Sequence, residues 1–94
     1  MLSIMPVDLS KIKSQDVDRE ILRAGIIAEL DAINLYEQMA ALTTNDHIRT
    51  VLLDIAKEEK EHVGEFQTLL LRFDKEQVTE LAEGKKEVEE LIGQ

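Results

Sequence analysis

Residues 43–46 read Thr-Thr-Asn-Asp, a short polar break between two long runs in which apolar residues recur at every third or fourth position. That spacing is typical of an amphipathic helix on each side of the break. Asn45 is a favourable N-cap, and Asp46 is well placed in the first turn of a helix. We therefore predict helix one over residues 16–42 and helix two over residues 46–73, joined as an antiparallel hairpin. The two apolar stripes contain Ile21, Leu22, Ile26, Leu30, Ile33, Tyr36 and Ala40, then Ile48, Val51, Leu52, Ile55, Val63, Phe66, Leu69, Leu70 and Phe73.

The sequence outside the hairpin predicts a third helix after it and an N-terminal arm before it. Asp74 followed by Gln77 resembles a capping box and opens a shorter third helix over residues 75–91. Residues 1–14 show no sustained period, and we expect a flexible arm that orders only against a neighbour. Because there is no internal repeat or second domain, residues 1–94 are predicted to form a single all-α domain. The third apolar stripe consists of Val78, Leu81, Val88 and Leu91.

Length and composition narrow the possible partners. A chain of 94 residues buries little of its surface alone, and two helices cannot cover both of their own apolar stripes. The hairpin is therefore predicted to dimerise into a four-helix bundle.

The net charge of −9 argues against nucleic acid or an anionic membrane surface as the partner, because both need clustered Lys and Arg. The lack of cysteine excludes disulfides and thiolate metal sites. With no membrane-length apolar run or export signal, we expect a soluble protein that is not exported.

Three ionisable residues interrupt the apolar stripes. Glu29 falls within the stripe of helix one, and Glu59 and His62 fall within that of helix two. Glu29 lies fifteen residues before Thr44 and Glu59 fifteen after it. In an antiparallel hairpin both are about 22 Å from the turn, so the two carboxylates should face each other. His62 lies about 4.5 Å further along the axis than Glu59, on the same face.

This arrangement favours a bound metal ion. Two carboxylates brought together inside a helical interface repel each other and lose their hydration, and a cation removes both costs. Carboxylate and imidazole donors together suit iron, manganese or zinc better than magnesium or calcium. One hairpin offers two carboxylates and one imidazole. A two-fold dimer would offer four carboxylates and two imidazoles, which is the set found in di-iron carboxylate bundles. We therefore predict metal ligation by Glu29, Glu59 and His62, with half of the site on each chain.

Each of these residues also has a purely structural interpretation. Glu-x-x-His on a helix is common without a metal, either glutamate could sit at the edge of its stripe and reach water, and His62 could be a core histidine hydrogen-bonded to Glu58 or Glu59. His47, beside the turn, is expected to be exposed rather than a ligand. Tyr36 is more often a packing residue than a chemical one.

Two segments carry a resemblance to a known family. Residues 27–38, Ile-Ala-Glu-Leu-Asp-Ala-Ile-Asn-Leu-Tyr-Glu-Gln, and residues 58–66, Glu-Glu-Lys-Glu-His-Val-Gly-Glu-Phe, resemble the signature stretches of the encapsulated ferritins, the iron-oxidising cargo of encapsulin nanocompartments. The resemblance covers residues 16–91. It implies a ferritin-like bundle with a di-iron (Fe2+/Fe3+) ferroxidase centre shared across a dimer interface, ligated by the residues matching Glu29, Glu59 and His62. It also implies a homodecamer of five dimers, with the third helix between dimers.

The resemblance assigns further residues. Asp31 matches an acidic position that guides iron inward, but the neighbouring acidic position is Ala28 here. Glu58 and Glu61 match outer positions where divalent ions gather. Tyr36 matches a tyrosine close to the centre, which implies a supporting catalytic role.

The resulting hypothesis is a ferroxidase that oxidises Fe(II) with dioxygen for iron storage, cytoplasmic and inside an encapsulin compartment. No convincing encapsulin-targeting peptide is evident after Leu91. The chain could be a fragment of a shell fusion, or a free cargo protein whose targeting peptide is missing from this sequence. Two rival hypotheses remain open. One is a structural helical oligomer in which buried Glu and His set the register, and the other is a di-metal oxidase or peroxidase not used for storage.

Overall fold

The computed structural model describes residues 13–94, which contain helices and no strand. Helix α1 spans Val17–Leu42, α2 spans Asp46–Phe73 and α3 spans Lys75–Ile92, with a short 3-10 helix at Ser14–Asp16 before α1. The predicted all-α fold is confirmed. Residues 1–12 of the predicted arm lie outside the described residues, whereas Ser14 already belongs to the 3-10 helix.

The turn between α1 and α2 is closed by two side chains. Asn45 Oδ1 accepts hydrogen bonds from the backbone N–H groups of His47, at 2.9 Å, and Ile48, at 3.0 Å, which makes Asn45 the predicted N-cap of α2. Arg49 reaches back to the end of α1, where it donates to the carbonyl oxygens of Thr43 at 2.6 Å and Ala40 at 3.3 Å. Side chains therefore satisfy several of the free backbone groups at the turn.

The contact between α1 and α2 is lined by small side chains. Ala24, Ala32 and Ala40 of α1 are buried, and Ala56 of α2 is only 1% exposed. Alanine at a helix contact allows the two axes to come close together. Larger apolar residues complete this interface, namely Leu22, Ile33 and Leu70.

Asp74 joins α2 to α3. Its backbone N–H donates to Leu70 O at 3.0 Å at the end of α2, and its Oδ1 accepts from the Gln77 N–H at 3.0 Å at the start of α3. The predicted capping role of Asp74 is confirmed. Its other oxygen, Oδ2, accepts from Arg23 of α1 at 2.8 Å, so this junction is tied to the hairpin.

A single copy leaves much of its apolar surface uncovered. The described chain measures 46 × 43 × 17 Å, a flat shape in which no residue of α3 is buried. Such extensive apolar exposure is typical of surfaces that bind another protein chain. Within residues 13–94 no helix combines the length and apolarity that crossing a bilayer requires. The exposed large apolar residues are Ile21, Ile27, Leu30, Leu42, Ile48, Val51, Leu53, Leu69, Phe73, Val78, Leu81, Val88, Leu91 and Ile92.

Candidate metal centre

The hairpin brings three potential metal ligands together near the middle of α1 and α2. Glu29 Oε2 lies 3.3 Å from His62 Nδ1, and Glu59 Oε2 lies 3.5 Å from the same nitrogen. One ligand atom from each of the three residues lies within 4.8 Å of the others. The structure thus places Glu29, Glu59 and His62 in one cluster.

The spacing of these donor atoms is compatible with metal ligation. Two donor atoms that bind the same ion, each at about 2.0–2.2 Å, can lie no more than about 4.4 Å from each other. Both His62 distances fall inside that limit, and the 4.8 Å span of the set is close to it. Small rotamer changes would bring all three donor atoms within reach of a single ion.

The surroundings of the cluster are partly closed in one chain. The side chains of Glu29 and Glu59 are 20% and 18% exposed, and that of His62 is 43% exposed. Ala32 and Ala56, each one turn closer to the hairpin turn than a glutamate, are both buried and supply no competing donor. One side of the cluster is packed, and the side that exposes His62 remains available to a second chain.

The charge of the cluster also favours a cation. Among the described residues no Lys or Arg forms an ion pair with Glu29 or Glu59. The nearest cation along α2, Lys60, instead pairs with Glu37 at 2.9 Å. Two carboxylates in a partly buried site with no lysine or arginine partner favour the binding of a cation. The mixed oxygen and nitrogen donor set suits iron, manganese or zinc.

Other residues considered from the sequence lie outside this cluster. Tyr36 is half-buried and is seven residues from Glu29, about 10.5 Å along the helix axis. Asp31 is exposed and is not part of the group of potential ligands, and Glu58 and Glu61 are exposed on α2. His47 is exposed beside the turn, as expected.

A contact that was not predicted lies one turn from the cluster. Gly25 of α1 is covered by the ring of Phe66 of α2. Gly25 precedes Glu29 by four residues and Phe66 follows His62 by four, so both flank a predicted ligand on the same helix face. That shared spacing is the signal in the sequence that could have identified the pair.

Comparisons with known proteins show the family to which the chain belongs. Residues 20–92 match the protein-family model described as Rubrerythrin, and the three donors lie within that match. A crystal structure of the encapsulated ferritin domain from Pyrococcus furiosus superimposes with a TM-score of 0.86 at 55% sequence identity, covering 100% of this chain and 98% of that one. The chain belongs to the encapsulated ferritins, within the rubrerythrin family.

Two curated relatives are longer than this encapsulated ferritin chain. A ferritin-like–encapsulin shell fusion protein of Pyrococcus furiosus is 57% identical over 95 residues, which is 99% of this chain and 28% of that protein. The encapsulin nanocompartment cargo protein EncC of Myxococcus xanthus is 39% identical over 73 residues, 78% of this chain and 55% of that protein. The chain therefore spans about a quarter of one relative and about half of the other.

Proposed function

We propose that this encapsulated ferritin domain is a ferroxidase that uses dioxygen to oxidise Fe(II) to Fe(III) at a di-iron centre formed between two copies. The observation that carries the proposal is the convergence of Glu29, Glu59 and His62 within 4.8 Å on one face of the hairpin. The family match supports it, because the matched region contains all three residues.

The dimer follows from the number of ligands. Two carboxylates and one imidazole are too few to hold a redox-active pair of ions, and a two-fold partner would double them to the set of a di-iron carboxylate bundle. In this proposal Glu29, Glu59 and His62 of both chains would together hold the two ions. The exposed side of His62 and the uncovered apolar stripes both leave room for the partner.

The protein's own contribution is placement and exclusion of water. Iron supplies the electrons that reduce dioxygen. The carboxylates balance the charge of the ions, and the helix backbone holds the donors at fixed spacing. The buried alanines on the turn side keep water and competing ligands away from that flank. Oxidised iron would then leave the site for storage.

Two further residues have proposed supporting roles. Tyr36 would act near the centre and Asp31 at an iron entry site. Tyr36→Phe is expected to change the time course of iron oxidation, followed by near-ultraviolet absorbance, without changing the number of iron ions bound. Asp31→Asn is expected to slow iron uptake at low Fe(II) and to have little effect at saturating Fe(II). Equal uptake rates at low Fe(II) would contradict the role of Asp31.

The proposed location rests on the relatives, and the proposed decamer rests on the resemblance to the encapsulated ferritins. One relative is named as a fusion with an encapsulin shell and the other as encapsulin cargo. We propose that this domain also works inside an encapsulin nanocompartment in the cytoplasm, as cargo or as part of a shell fusion, and that its dimers form a homodecamer. The mass of the purified assembly, measured by native mass spectrometry, tests the decamer directly.

The test of the ferroxidase is anaerobic loading with Fe(II) followed by air, with near-ultraviolet absorbance and oligomer mass recorded together. Glu29→Ala, Glu59→Ala and His62→Ala are each expected to reduce the oxidation rate by about tenfold or more. Glu65→Ala, an exposed glutamate on α2, is the matched control and should retain the native rate. Native rates in all three ligand variants would refute the assignment.

A structural role for the cluster is the second candidate. His62 Nδ1 lies 3.3 Å from Glu29 Oε2, within hydrogen-bonding distance, and a polar contact of this kind between two helices can set their register. That role predicts assembly with no bound iron. A third outcome, oxidation of bound iron without release of ferric product, would indicate a di-metal oxidase or peroxidase not used for storage.

A further inference from the structure

Gly25 and Phe66 make a tight contact between α1 and α2. A Cβ atom added to Gly25 would lie 3.1 Å from each of three ring atoms of Phe66, Cδ1, Cε1 and Cζ. Because that separation is shorter than nine in ten real Cβ contacts, the ring or a helix would have to move by a few tenths of an ångström. The ring fills the space that a side chain at position 25 would occupy.

The register relates this contact to the metal ligands. Gly25 is four residues before Glu29, and Phe66 is four residues after His62. Because α1 and α2 are antiparallel, going back four residues along α1 and forward four along α2 both lead away from the turn. The contact therefore lies about 6 Å along the helix axes from the Glu29–His62 pair, on the side away from the turn. The same two helices carry the contact and the 3.3 Å approach of the donors.

We infer that the Gly25–Phe66 contact is a positioning contact that sets the distance between α1 and α2 at the metal ligands. The inference deepens the proposed metal-binding function and rests on it. On the turn side the helices are held close by Ala32 and Ala56, the latter almost fully buried. On the opposite side the missing side chain of Gly25 allows the aromatic ring to fill the gap. The donors lie between these two contacts.

A methyl group at position 25 tests this arrangement because its two effects oppose each other. Alanine favours the helix more than glycine does, so Gly25→Ala should keep or strengthen α1. Its Cβ atom would nevertheless press on Phe66 and separate the helices, or tilt them, at the donors. A general loss of stability therefore cannot mimic the expected result, which is a helix at least as stable with a weaker metal site.

The experiment compares four proteins as full chains. They are the native chain, Gly25→Ala, the double variant Gly25→Ala with Phe66→Leu, and Gly84→Ala. Leucine lacks the ring atoms that the new methyl group would meet, so the double variant should relieve the contact. Gly84 is a helical glycine in α3 whose added Cβ would meet nothing within 4 Å, which makes its alanine variant the control for helix propensity alone.

The readouts are Co2+ affinity with its visible absorption spectrum, thermal unfolding, and crystal structures without metal. We expect Gly25→Ala to bind Co2+ about ten- to hundredfold more weakly with an altered spectrum, as changes next to a ligand shell commonly do. Its metal-free structure should show Glu29 Oε2 and His62 Nδ1 further apart than 3.3 Å. The double variant should recover most of the affinity, and Gly84→Ala should match the native chain.

Two results would overturn the positioning role. One is native Co2+ affinity and spectrum in Gly25→Ala, and the other is a metal-free Gly25→Ala structure in which only the Phe66 ring has moved and the donors keep their native distance. Failure of the proposed function has a different signature, because the native chain itself would then bind no Co2+. In that case the metal-free structures still decide whether the contact sets the distance between Glu29 and His62.

Discussion

Arg23 of α1 and Asp74, the residue between α2 and α3, form an ion pair in which Arg23 Nη2 lies 2.8 Å from Asp74 Oδ2. Asp74 is 7% exposed and also caps α3 through the Gln77 N–H. One carboxylate therefore fixes the start of α3 and links that start to the first helix of the hairpin. The direction in which α3 leaves the hairpin depends on this residue.

Substitutions at Asp74 should separate its two roles. Asp74→Asn keeps an oxygen that can accept from the Gln77 N–H but loses the charge that attracts Arg23, whereas Asp74→Ala loses both. We expect the midpoint of thermal unfolding to fall in the order native, Asn, Ala, with the alanine variant lower by several degrees. Circular dichroism measures this order. Glu83→Gln, an exposed residue of α3, is the control, and equal midpoints for Asn and Ala at position 74 would contradict the capping role.

The same carboxylate should make stability depend on acid pH. The hydrogen bond from the Gln77 backbone N–H, aided by the charges of Arg23 and Arg19, lowers the pKa of Asp74 below its usual value of 3.8, although burial opposes the shift. A carboxyl whose pKa is lower in the folded than in the unfolded state stabilises the fold when the pH is above the unfolded-state pKa. This stabilisation is lost as the pH falls through the folded-state pKa. Unfolding free energy should therefore drop below about pH 4, more steeply in the native chain than in Asp74→Asn. Parallel slopes for the two proteins in denaturant titrations at pH 2–5 would exclude Asp74 as a source.

The helices and the ligand cluster could be predicted because they depend on local patterns. The break at residues 43–46 and the periodic stripes around it locate the turn, and equal spacing from the turn brings Glu29 and Glu59 together. The contacts Arg23–Asp74 and Gly25–Phe66 could not be predicted in the same way. They depend on how far α1 and α2 are rotated and separated, and hydrophobic periodicity fixes neither quantity to within an ångström.

The cap of α2 offers a test of the turn itself. Asn45 Oδ1 accepts from two backbone N–H groups, and alanine can accept from neither. Asn45→Ala should cost about 1 kcal/mol of unfolding free energy, which lowers the unfolding midpoint by about 4–8 °C in a domain of this size. Asn45→Asp and Asn45→Ser keep an acceptor and should stay close to the native chain. A native midpoint for Asn45→Ala would show that Arg49 alone holds the turn.

Metal should stabilise the dimer more than it stabilises one chain, because each chain supplies only three donors to the proposed centre. A ligand that binds only the folded state adds about 2.7 kcal/mol at a free concentration one hundred times its dissociation constant. We therefore expect Fe(II) under anaerobic conditions, or Co2+ in air, to raise the unfolding midpoint, and a chelator to reverse the increase. Since the proposed site needs two chains, this increase in the unfolding midpoint should grow with protein concentration.

Glu59→Gln keeps the shape of the side chain but not its charge. It should abolish the metal-dependent increase while assembly at high protein concentration persists. An increase that does not depend on protein concentration would mean that one hairpin binds the metal alone, which would contradict a centre shared between two copies.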